Sequence, residues 1–483
     1  MRVLVAGGGI AALEVLAGLR TLAGDRVQAT LLCPERSFSY RPLSMAIPFR
    51  FREERTRELQ DLAGGLGAVF VRDGLAQVDE ARGRVLTSNG DFLPYDVLVL
   101  AVGARLAVPR RALMWRRGRE GTAELARLLH ELEDGTVPSA AFVVPPRAAW
   151  PVDAYELALV ASLAARRSSS RAQVSIVTAE AAPLEAFGPA AGDAVGIELE
   201  RAQIQLITGV EATIPDEHEE AGRDAFSSAV ARLSNRVKDK ERRDGLVLRL
   251  GGRRSMRVDR ALFLPAVRGP GVGGTAHDHS GFARVDEHAR VLGQDGVYAV
   301  GDATALSLKH SSLASRQGTA AAEAIAAAAG AKVHPEPWSP TLYGFLTLPP
   351  HFPSATGRPW LDDGEPVTHC VWWPPGHVAG RHLAPYLASV DRGVRPGLDW
   401  HPNGVPVAIT VAEYAETDVT AASTPTEAAV SRDARARQLM AIRRAGLEGQ
   451  RLERELDHRL EAFERHEREV VAKLRAAGYL SES

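Results

Sequence analysis

The sequence predicts an α/β protein built on parallel β-sheets, and three stretches carry this prediction. The chain begins with a short apolar strand, RVLVA, that runs into three glycines and then into a segment with apolar residues at helical spacing. A second buried strand, a turn and a helix follow in FVVPPRAAWPVDAYELALVAS, residues 142–162. A third buried strand, GVYAVGDAT at residues 296–304, leads to an Ala-rich helical segment. Strands that alternate with helices in this way are typical of βαβ units.

Composition narrows the class of protein. The chain has 483 residues, of which 45% are hydrophobic, which is enough for a substantial core, and this length corresponds to about two to four domains. The net charge of −2 argues against a general binder of nucleic acid or acidic lipid. No apolar run is long enough to cross a bilayer, and the N-terminus starts directly on a strand. We therefore expect no signal peptide and a cytoplasmic protein.

The first glycine-rich turn has the pattern of a dinucleotide-binding loop. Gly7-x-Gly9-x-x-Ala12, with Gly8 inside it, lies between a strand and a helix. Gly7 permits the tight turn, Gly9 lets the backbone approach a pyrophosphate, and Ala12 lets the helix pack closely on the strand. The N-terminus of the helix offers free N–H groups and a positive dipole end to the phosphates.

The second strand departs from this pattern. It should end on an acid that binds the adenosine ribose, but VQATLLCPERSF has Cys33 at that point and Glu35 two residues later. Either Glu35 reaches the ribose or that hydrogen bond is absent. Cys33 and Cys370 are the two cysteines of the chain, which excludes a disulfide framework, a CxxC redox pair and a thiolate zinc cluster. They form either one long-range disulfide or two separate thiols, and we expect Cys33 to be a small buried residue.

Two further turns follow buried strands. YDVLVLAVGA, residues 95–104, ends in a small-residue turn that contains Gly103. The later strand ends on Gly301-Asp302, where a carboxylate is well placed to accept a hydrogen bond from a ligand hydroxyl. The helix predicted over residues 311–330 can offer N–H groups at its start to a ligand oxygen.

These segments, in this order, resemble the FAD-dependent pyridine nucleotide-disulfide oxidoreductase superfamily. The resemblance implies that the N-terminal loop holds FAD, that the Gly103 turn lies along it and that Asp302 binds the ribityl chain. It also implies that the helix after Asp302 points its N-terminus at the pyrimidine end of the flavin. Lys309, Ser311 and Ser312 are therefore candidates for that edge.

The resemblance extends over about residues 1–400. FSYRPLSMAIPF, WPVDAYELAL and CVWWPPGHVAGRHLAPYL look like a branch related to type II NADH dehydrogenases and sulfide:quinone oxidoreductases. This implies two Rossmann-like dinucleotide-binding domains, the second nested in the first, a C-terminal α+β domain and a C-terminal amphipathic helix. The corresponding boundaries are 1–118 and 270–330 for the FAD domain, 119–269 for the nested NAD(P)-binding-like domain, 331–412 for the C-terminal domain, 413–434 for a linker and 435–480 for the helix.

The turn of the nested domain lacks the glycines that a nicotinamide dinucleotide needs. It holds Pro145, Pro146, Arg147, Trp150 and Pro151. Proline removes N–H donors and fixes the backbone, and tryptophan adds bulk where a pyrophosphate would lie. NAD(P)H is therefore a doubtful second cofactor, although Glu180, at the end of the next strand, is placed to bind a ribose hydroxyl.

We therefore expect an FAD-dependent oxidoreductase that passes electrons from a small donor through the flavin to a quinone or similar acceptor, without redox-active cysteines and with unknown catalytic residues. One alternative is an NAD(P)H:acceptor oxidoreductase that binds the nicotinamide unconventionally around Glu180. The other is a non-enzymatic flavoprotein scaffold. No metal is expected, since the adjacent His277, Asp278 and His279 indicate a polar loop.

The remaining predictions concern surfaces. Residues 215–245 are charged and indicate an inserted surface helix. Trp372, Trp373, Pro374 and Pro375 belong either to a quinone or dimer surface or to the core. The C-terminal helix has an apolar face and an alternating Arg/Glu face, so we expect a homo-oligomer or a protein partner there and at most peripheral contact with the inner face of the membrane. The apolar positions of that helix are Leu452, Leu456, Leu460, Phe463, Val470 and Leu474.

Overall fold

The structure is a computed structural model, and it describes the chain in ten stretches. These are residues 1–39, 56–107, 113–114, 119–167, 170–215, 245–251, 254–347, 372–373, 380–390 and 404–413. Several predicted segments lie outside them: most of the 215–245 insertion, Cys370, Pro374, Pro375, nearly all of the 413–434 linker and the whole 435–480 helix.

The first parallel sheet has five strands. They are β1 Arg2–Ala6, β2 Gln28–Leu32, β5 Val69–Val71, β9 Val97–Leu100 and β19 Val297–Ala299. Their order is β5-β2-β1-β9-β19, and all neighbours are parallel. On one face lie the helices α1 Ile10–Leu22, α2 Leu59–Gly65 and α6 Ser311–Ala328. On the other face lies an antiparallel sheet of β6 Leu75–Asp79, β7 Arg84–Thr87 and β8 Phe92–Pro94.

A second five-stranded sheet is inserted in the chain between β9 and β19. Its strands are β11 Leu113–Met114, β12 Ser139–Val144, β13 Gln173–Thr178, β14 Gln205–Ile207 and β17 Arg260–Phe263. Their order is β11-β17-β12-β13-β14, again parallel throughout. Its helices are α3 Arg119–Glu133, α4 Val152–Arg167 and α5 Pro189–Arg201. The hairpin of β15 Leu246–Arg249 and β16 Ser255–Val258 packs on its other face.

Smaller elements connect and complete these units. The antiparallel pair of β10 Arg105–Ala107 and β18 Ala266–Arg268 stands where the chain leaves the first sheet and returns to it. A short pair joins β3 Ser37–Ser39 to β4 Thr56–Glu58. The C-terminal sheet contains β20 Thr341–Thr347, β21 Trp372–Trp373 and β22 Gly404–Thr410, and α7 Leu383–Val390 packs on α1.

The two parallel α/β sheets confirm that part of the predicted fold. The second sheet already begins with β11 at residues 113–114, ahead of the predicted domain boundary at residue 119. One continuous hydrophobic core joins this unit to the C-terminal sheet, because Trp150 and Phe187 cluster with Leu342, Leu346 and Val407. Among the described helices, none is long and apolar enough to cross a membrane.

Candidate functional site

The first glycine-rich turn lies where the order of the first sheet changes direction. β1 is flanked by β2 on one side and β9 on the other, and a ligand crevice forms at the carboxyl ends of the strands at such a point. Gly7 has φ +118° and its N–H donates to Leu32 O at 2.8 Å. A Cβ on Gly7 would lie 2.1 Å from Ala101 O, at the end of β9. The two strand ends therefore meet closely because residue 7 has no side chain.

Gly9 and the start of α1 form an open cradle. No described atom lies within 4 Å of an ideal Cβ at Gly9, and Gly9 has an ordinary φ of −88°. Within the described residues, no side chain caps α1 and its first turn holds no acid. Ala12 is fully buried beneath this turn. The first N–H groups of α1 and its positive dipole end are thus available to an anionic ligand.

Cys33 and Glu35 lie beside the same turn. The Cys33 thiol is buried, and its Sγ would lie 2.6 Å from a Cβ on Gly8. The thiol donates a hydrogen bond to Glu35 Oε2 at 3.2 Å, while Glu35 itself is exposed. Burial, together with the neighbouring Glu35 carboxylate, raises the pKa of Cys33 to about 12. The strand-end position therefore holds a protonated thiol that contacts the nearby acid.

Gly301 and Asp302 follow β19 at the same edge of the sheet. Gly301 has φ +70°, and a Cβ there would lie 3.1 Å from Ala11 Cβ and 3.5 Å from Ala314 Cβ. The Gly301 N–H donates to Gln317 Oε1 at 2.8 Å. This turn is therefore held between the N-terminal parts of α1 and α6, with Asp302 half-buried next to it.

Gly103 and Gln317 complete the surroundings of this crevice. Gly103 has φ +74°, and no described atom lies within 4 Å of an ideal Cβ there. The Gln317 side chain is fully buried and also binds the Thr304 hydroxyl, to which its Nε2 donates at 3.2 Å. The sequence reasoning missed Gln317. A polar residue on the buried face of an Ala-rich helix is the signal that would have found it.

Lys309 is held in a partly buried position next to Asp302. Its Nζ donates to Thr304 O at 2.6 Å and lies 4.1 Å from the ring centroid of Phe282. Burial lowers the pKa of Lys309 to about 8, and the charges of Asp302 and Asp278 oppose that shift. Asp278 is itself bound within its loop, because its carboxylate accepts N–H groups from Ser280 and Phe282. The loop around Asp278 is thus built from internal hydrogen bonds.

The start of α6 is capped by a histidine. His310 is the N-cap residue, and the Ser312 N–H donates to its Nδ1 at 3.2 Å. The Ser312 hydroxyl lies 2.6 Å from the same nitrogen, and both Ser311 and Ser312 are half-buried. The sequence reasoning singled out the two serines but missed His310.

Comparisons with known proteins bear on this arrangement. The family model described as pyridine nucleotide-disulphide oxidoreductase matches residues 152–318, from α4 into α6. The matched stretch has the sequence pattern of that family and includes most of the second parallel sheet together with the Gly301-Asp302 turn. The superfamily predicted from the sequence is therefore confirmed. No curated relative matches the sequence.

Solved structures share the fold at low sequence identity. The sulfide:quinone oxidoreductase of Aquifex aeolicus is 18% identical with a TM-score of 0.56, over 72% of this chain and 80% of that one. The putidaredoxin reductase in its covalent complex with putidaredoxin is 16% identical with a TM-score of 0.51, over 71% and 78% of the two chains. At such identities these similarities establish the fold and no more.

The residues of the first crevice fit the FAD that this superfamily uses. The open position at Gly9, the uncapped start of α1 and the half-buried Asp302 at the same sheet edge suit a pyrophosphate and a hydroxylated chain. The three features come from the turn after β1, from α1 and from the turn after β19, and all of them lie at one crevice.

In the second unit, which is built on the second five-stranded sheet, side chains occupy the space at the Pro-rich turn between β12 and α4. Trp150 is buried, with its ring 5.3 Å from the Phe187 ring and 4.7 Å from the His310 ring, centroid to centroid. The backbone of the turn binds the returning chain: Val267 N–H donates to Arg147 O at 3.2 Å, and Ala149 N–H donates to Pro265 O at 3.3 Å. The Ala149 N–H, a donor of the kind that a pyrophosphate needs, is therefore already engaged in a protein contact.

The helix after this turn is also unsuited to a phosphate. Asp153 is a buried carboxylate in the first turn of α4, so negative charge already lies at the positive end of the helix dipole. Arg147 adopts φ +59°, a left-handed conformation that few non-glycine residues take. The residues present do not fit a nicotinamide dinucleotide at this turn.

Glu180 is bound to neighbouring side chains. Its Oε2 accepts hydrogen bonds from the Tyr155 hydroxyl at 2.7 Å and from the Thr178 hydroxyl at 2.9 Å. Burial is the main cause that raises the pKa of the Glu180 carboxyl, and burial also raises the pKa of the fully buried Tyr155. Both hydrogen bonds fall on the same carboxyl oxygen of the half-buried Glu180.

Proposed function

We propose that the chain passes electrons from a small donor other than a nicotinamide, through FAD, to a quinone or similar acceptor. The filled Pro-rich turn carries this proposal. Trp150 and the backbone partners of Arg147 and Ala149 leave no conventional place for a second dinucleotide, whereas the Gly9 cradle remains open for the first.

The first crevice gives each of its residues a role toward FAD. The N–H groups at the start of α1, next to Gly9, bind the pyrophosphate, and Glu35 binds the adenosine ribose. Asp302 accepts hydrogen bonds from the ribityl hydroxyls. Bound FAD supplies the electron transfer, and the protein orients and tunes it.

The pyrimidine end of the flavin is assigned to the start of α6. The Ser311 N–H, the positive dipole end of α6 and the ammonium of Lys309 provide positive potential there. Lys309 is partly desolvated, so its charge acts through little solvent screening. These groups favour electron uptake, since they stabilise negative charge at that edge.

Cys33 does not serve as a sulfur carrier in this proposal. Its thiol is buried and its pKa is raised to about 12, so almost no reactive thiolate forms near neutral pH. We therefore assign no redox role to Cys33. The quinone acceptor is supported by the sulfide:quinone oxidoreductase of Aquifex aeolicus, which shares the fold.

The experiment is an anaerobic titration of the purified holoprotein, followed by flavin absorbance. We expect sulfide or another small reductant to bleach the flavin, NADH and NADPH to leave it oxidised, and a soluble quinone analogue to restore the absorbance. Stoichiometric bleaching by NADH would instead support the alternative in which a nicotinamide binds around Glu180. A flavin that no donor reduces, with no turnover of any quinone, would favour a non-enzymatic scaffold.

A further inference from the structure

The Pro-rich turn touches the start of α6 at two points. The Lys309 N–H donates to Ala149 O at 2.9 Å. One residue further along each segment, the rings of Trp150 and His310 pack with centroids 4.7 Å apart and planes inclined by 35°. The turn is therefore joined to the beginning of this helix through both backbone and side chain.

His310 can cap the helix in one protonation state only. Its Nδ1 accepts the Ser312 N–H when that nitrogen carries no proton, which is the case in the neutral ring protonated on Nε2. The His310 carbonyl also accepts the first intrahelical bond, from Ala314 N–H at 3.0 Å. The direction of the imidazole thus helps to set which N–H groups at the start of α6 remain free for a ligand.

Trp150 holds the imidazole from the side of the second unit. The Trp150 ring also packs edge-on with the Phe187 ring, and Leu308 and Leu313, on either side of the cap, belong to the same hydrophobic cluster. Since these residues are buried together, a smaller side chain at position 150 would leave a cavity against the His310 ring.

The capped end of α6 lies at the edge of the sheet that holds the first crevice. Gly301 lies between Ala11 of α1 and Ala314 of α6. An ideal Cβ on Gly301 would lie 3.1 Å from Ala11 Cβ and 3.5 Å from Ala314 Cβ. Gln317, one turn into α6, binds the Gly301 N–H. A small rotation of the start of α6 would therefore change the crevice.

We propose that Trp150 and His310 are positioning residues for the flavin, and that the Pro-rich turn has become the support of this pair. This inference rests on the proposed FAD site. Trp150 fixes the His310 ring, His310 fixes the first turn of α6, and that turn presents N–H groups to the edge of the flavin that gains negative charge on reduction. In this way the second unit tunes the cofactor of the first without binding a cofactor of its own.

The test compares two pairs of variants in the holoprotein: Trp150→Leu with Trp150→Phe, and His310→Ala with His310→Asn. Phenylalanine keeps a ring at position 150, and asparagine keeps a neutral N-cap acceptor at position 310. Phe142→Leu is the control, because Phe142 is fully buried in the same core. The readouts are FAD affinity and the oxidised-to-reduced flavin ratio in equilibrium with a reference dye.

We expect Trp150→Leu and His310→Ala to shift that ratio toward oxidised flavin by about threefold to tenfold, the size of a lost helix cap. Trp150→Phe, His310→Asn and the Phe142→Leu control should stay within about twofold of the parent protein. Circular dichroism identifies any variant that does not fold. If a Trp150 variant does not fold, the comparison of His310→Ala with His310→Asn tests the inference.

Two results would overturn the inference in different ways. If Trp150→Leu and His310→Ala retain FAD and the parent ratio, the positioning role is wrong while the proposed function stands. If the parent protein neither contains FAD nor takes it up, the proposed function fails and the inference fails with it.

Discussion

The turns that follow β1 and β12 share one topology and differ in what occupies them. Each links a buried parallel strand to a helix. At the first turn, an ideal Cβ on Gly9 would touch no described atom, and α1 starts without an acid. At the second, Trp150 is packed against His310, and α4 carries Asp153 in its first turn. The same strand–turn–helix scaffold thus leaves space beside the backbone at the first turn and is occupied by protein at the second.

The acids that follow β2 and β13, Glu35 and Glu180, also differ in their surroundings. Glu35 accepts one hydrogen bond from the Cys33 thiol and remains exposed to a ligand. Glu180 accepts two hydroxyl hydrogen bonds, from Tyr155 and Thr178, and is partly buried. Both acids follow a strand that is parallel to its neighbours, but Glu180 holds two neighbouring hydroxyl groups on Oε2 and Glu35 holds one thiol. The second unit therefore has more internal contacts than the first, both at its Pro-rich turn and at its strand-end acid.

The largest expected effect is that of Gly7→Ala on folding. The new Cβ would lie 2.1 Å from Ala101 O, at a residue with φ +118°. Steric overlap and backbone strain together should lower the free energy of unfolding by about 3 kcal/mol or more. Chemical denaturation checks this. If the variant unfolded at the same denaturant concentration as the parent protein, the approach of residue 7 to Ala101 would not be as close as described.

Gly9→Ala should spare the fold and weaken FAD binding. No described atom would meet the new Cβ and φ is an ordinary −88°, so we expect the parent unfolding midpoint. A pyrophosphate that approaches this backbone would meet the methyl group, which should weaken FAD binding by about 10- to 100-fold. Flavin fluorescence measures the affinity. Full affinity in this variant would place the pyrophosphate elsewhere.

The sequence could predict the first turn well and the second only in part. Gly7, Gly9 and Ala12 lie within six positions of one another, so a single short stretch of sequence is enough to predict the turn. The lack of glycines in the second turn is also visible in one short stretch of sequence. The contacts that occupy this turn are not, because Trp150 packs on Phe187 and His310, which are 37 and 160 residues away in sequence. Contacts at such separations leave no periodicity, so the role of His310 at the helix start could not be found.

Tyr155→Phe and Cys33→Ala compare the two strand-end acids directly. Tyr155 is fully buried and donates to the partly buried Glu180, so its loss leaves a carboxyl short of a partner and should cost about 1–3 kcal/mol. Cys33 donates to an exposed Glu35 that water can satisfy. Cys33→Ala loses mainly one buried sulfur atom, which should cost about 1 kcal/mol. Thermal or denaturant unfolding gives both values, and equal losses would contradict the contrast between the sites.

The smallest expected effect is on the pH dependence of stability in Glu180→Gln. Burial raises the pKa of Glu180 in the folded protein above its unfolded value, so the folded state holds this proton to a higher pH. Stability is therefore greatest below the unfolded pKa, falls as pH rises through the window between the two pKa values, and levels off above the folded pKa. Glutamine does not titrate, so the variant should lack this part of the fall, which amounts to about 1.4 kcal/mol for each pH unit that separates the folded pKa from the unfolded pKa.

The matched control is Glu35→Gln at the exposed acid of the first unit. This substitution removes an exposed carboxyl and leaves Glu180 in place, so the part of the fall that comes from Glu180 should remain. Glu14, whose pKa burial also raises, remains in both variants and leaves a residual slope. Unfolding free energies across acid pH decide the comparison. If the two glutamine variants had the same slope, Glu180 would not be the desolvated acid that its burial implies.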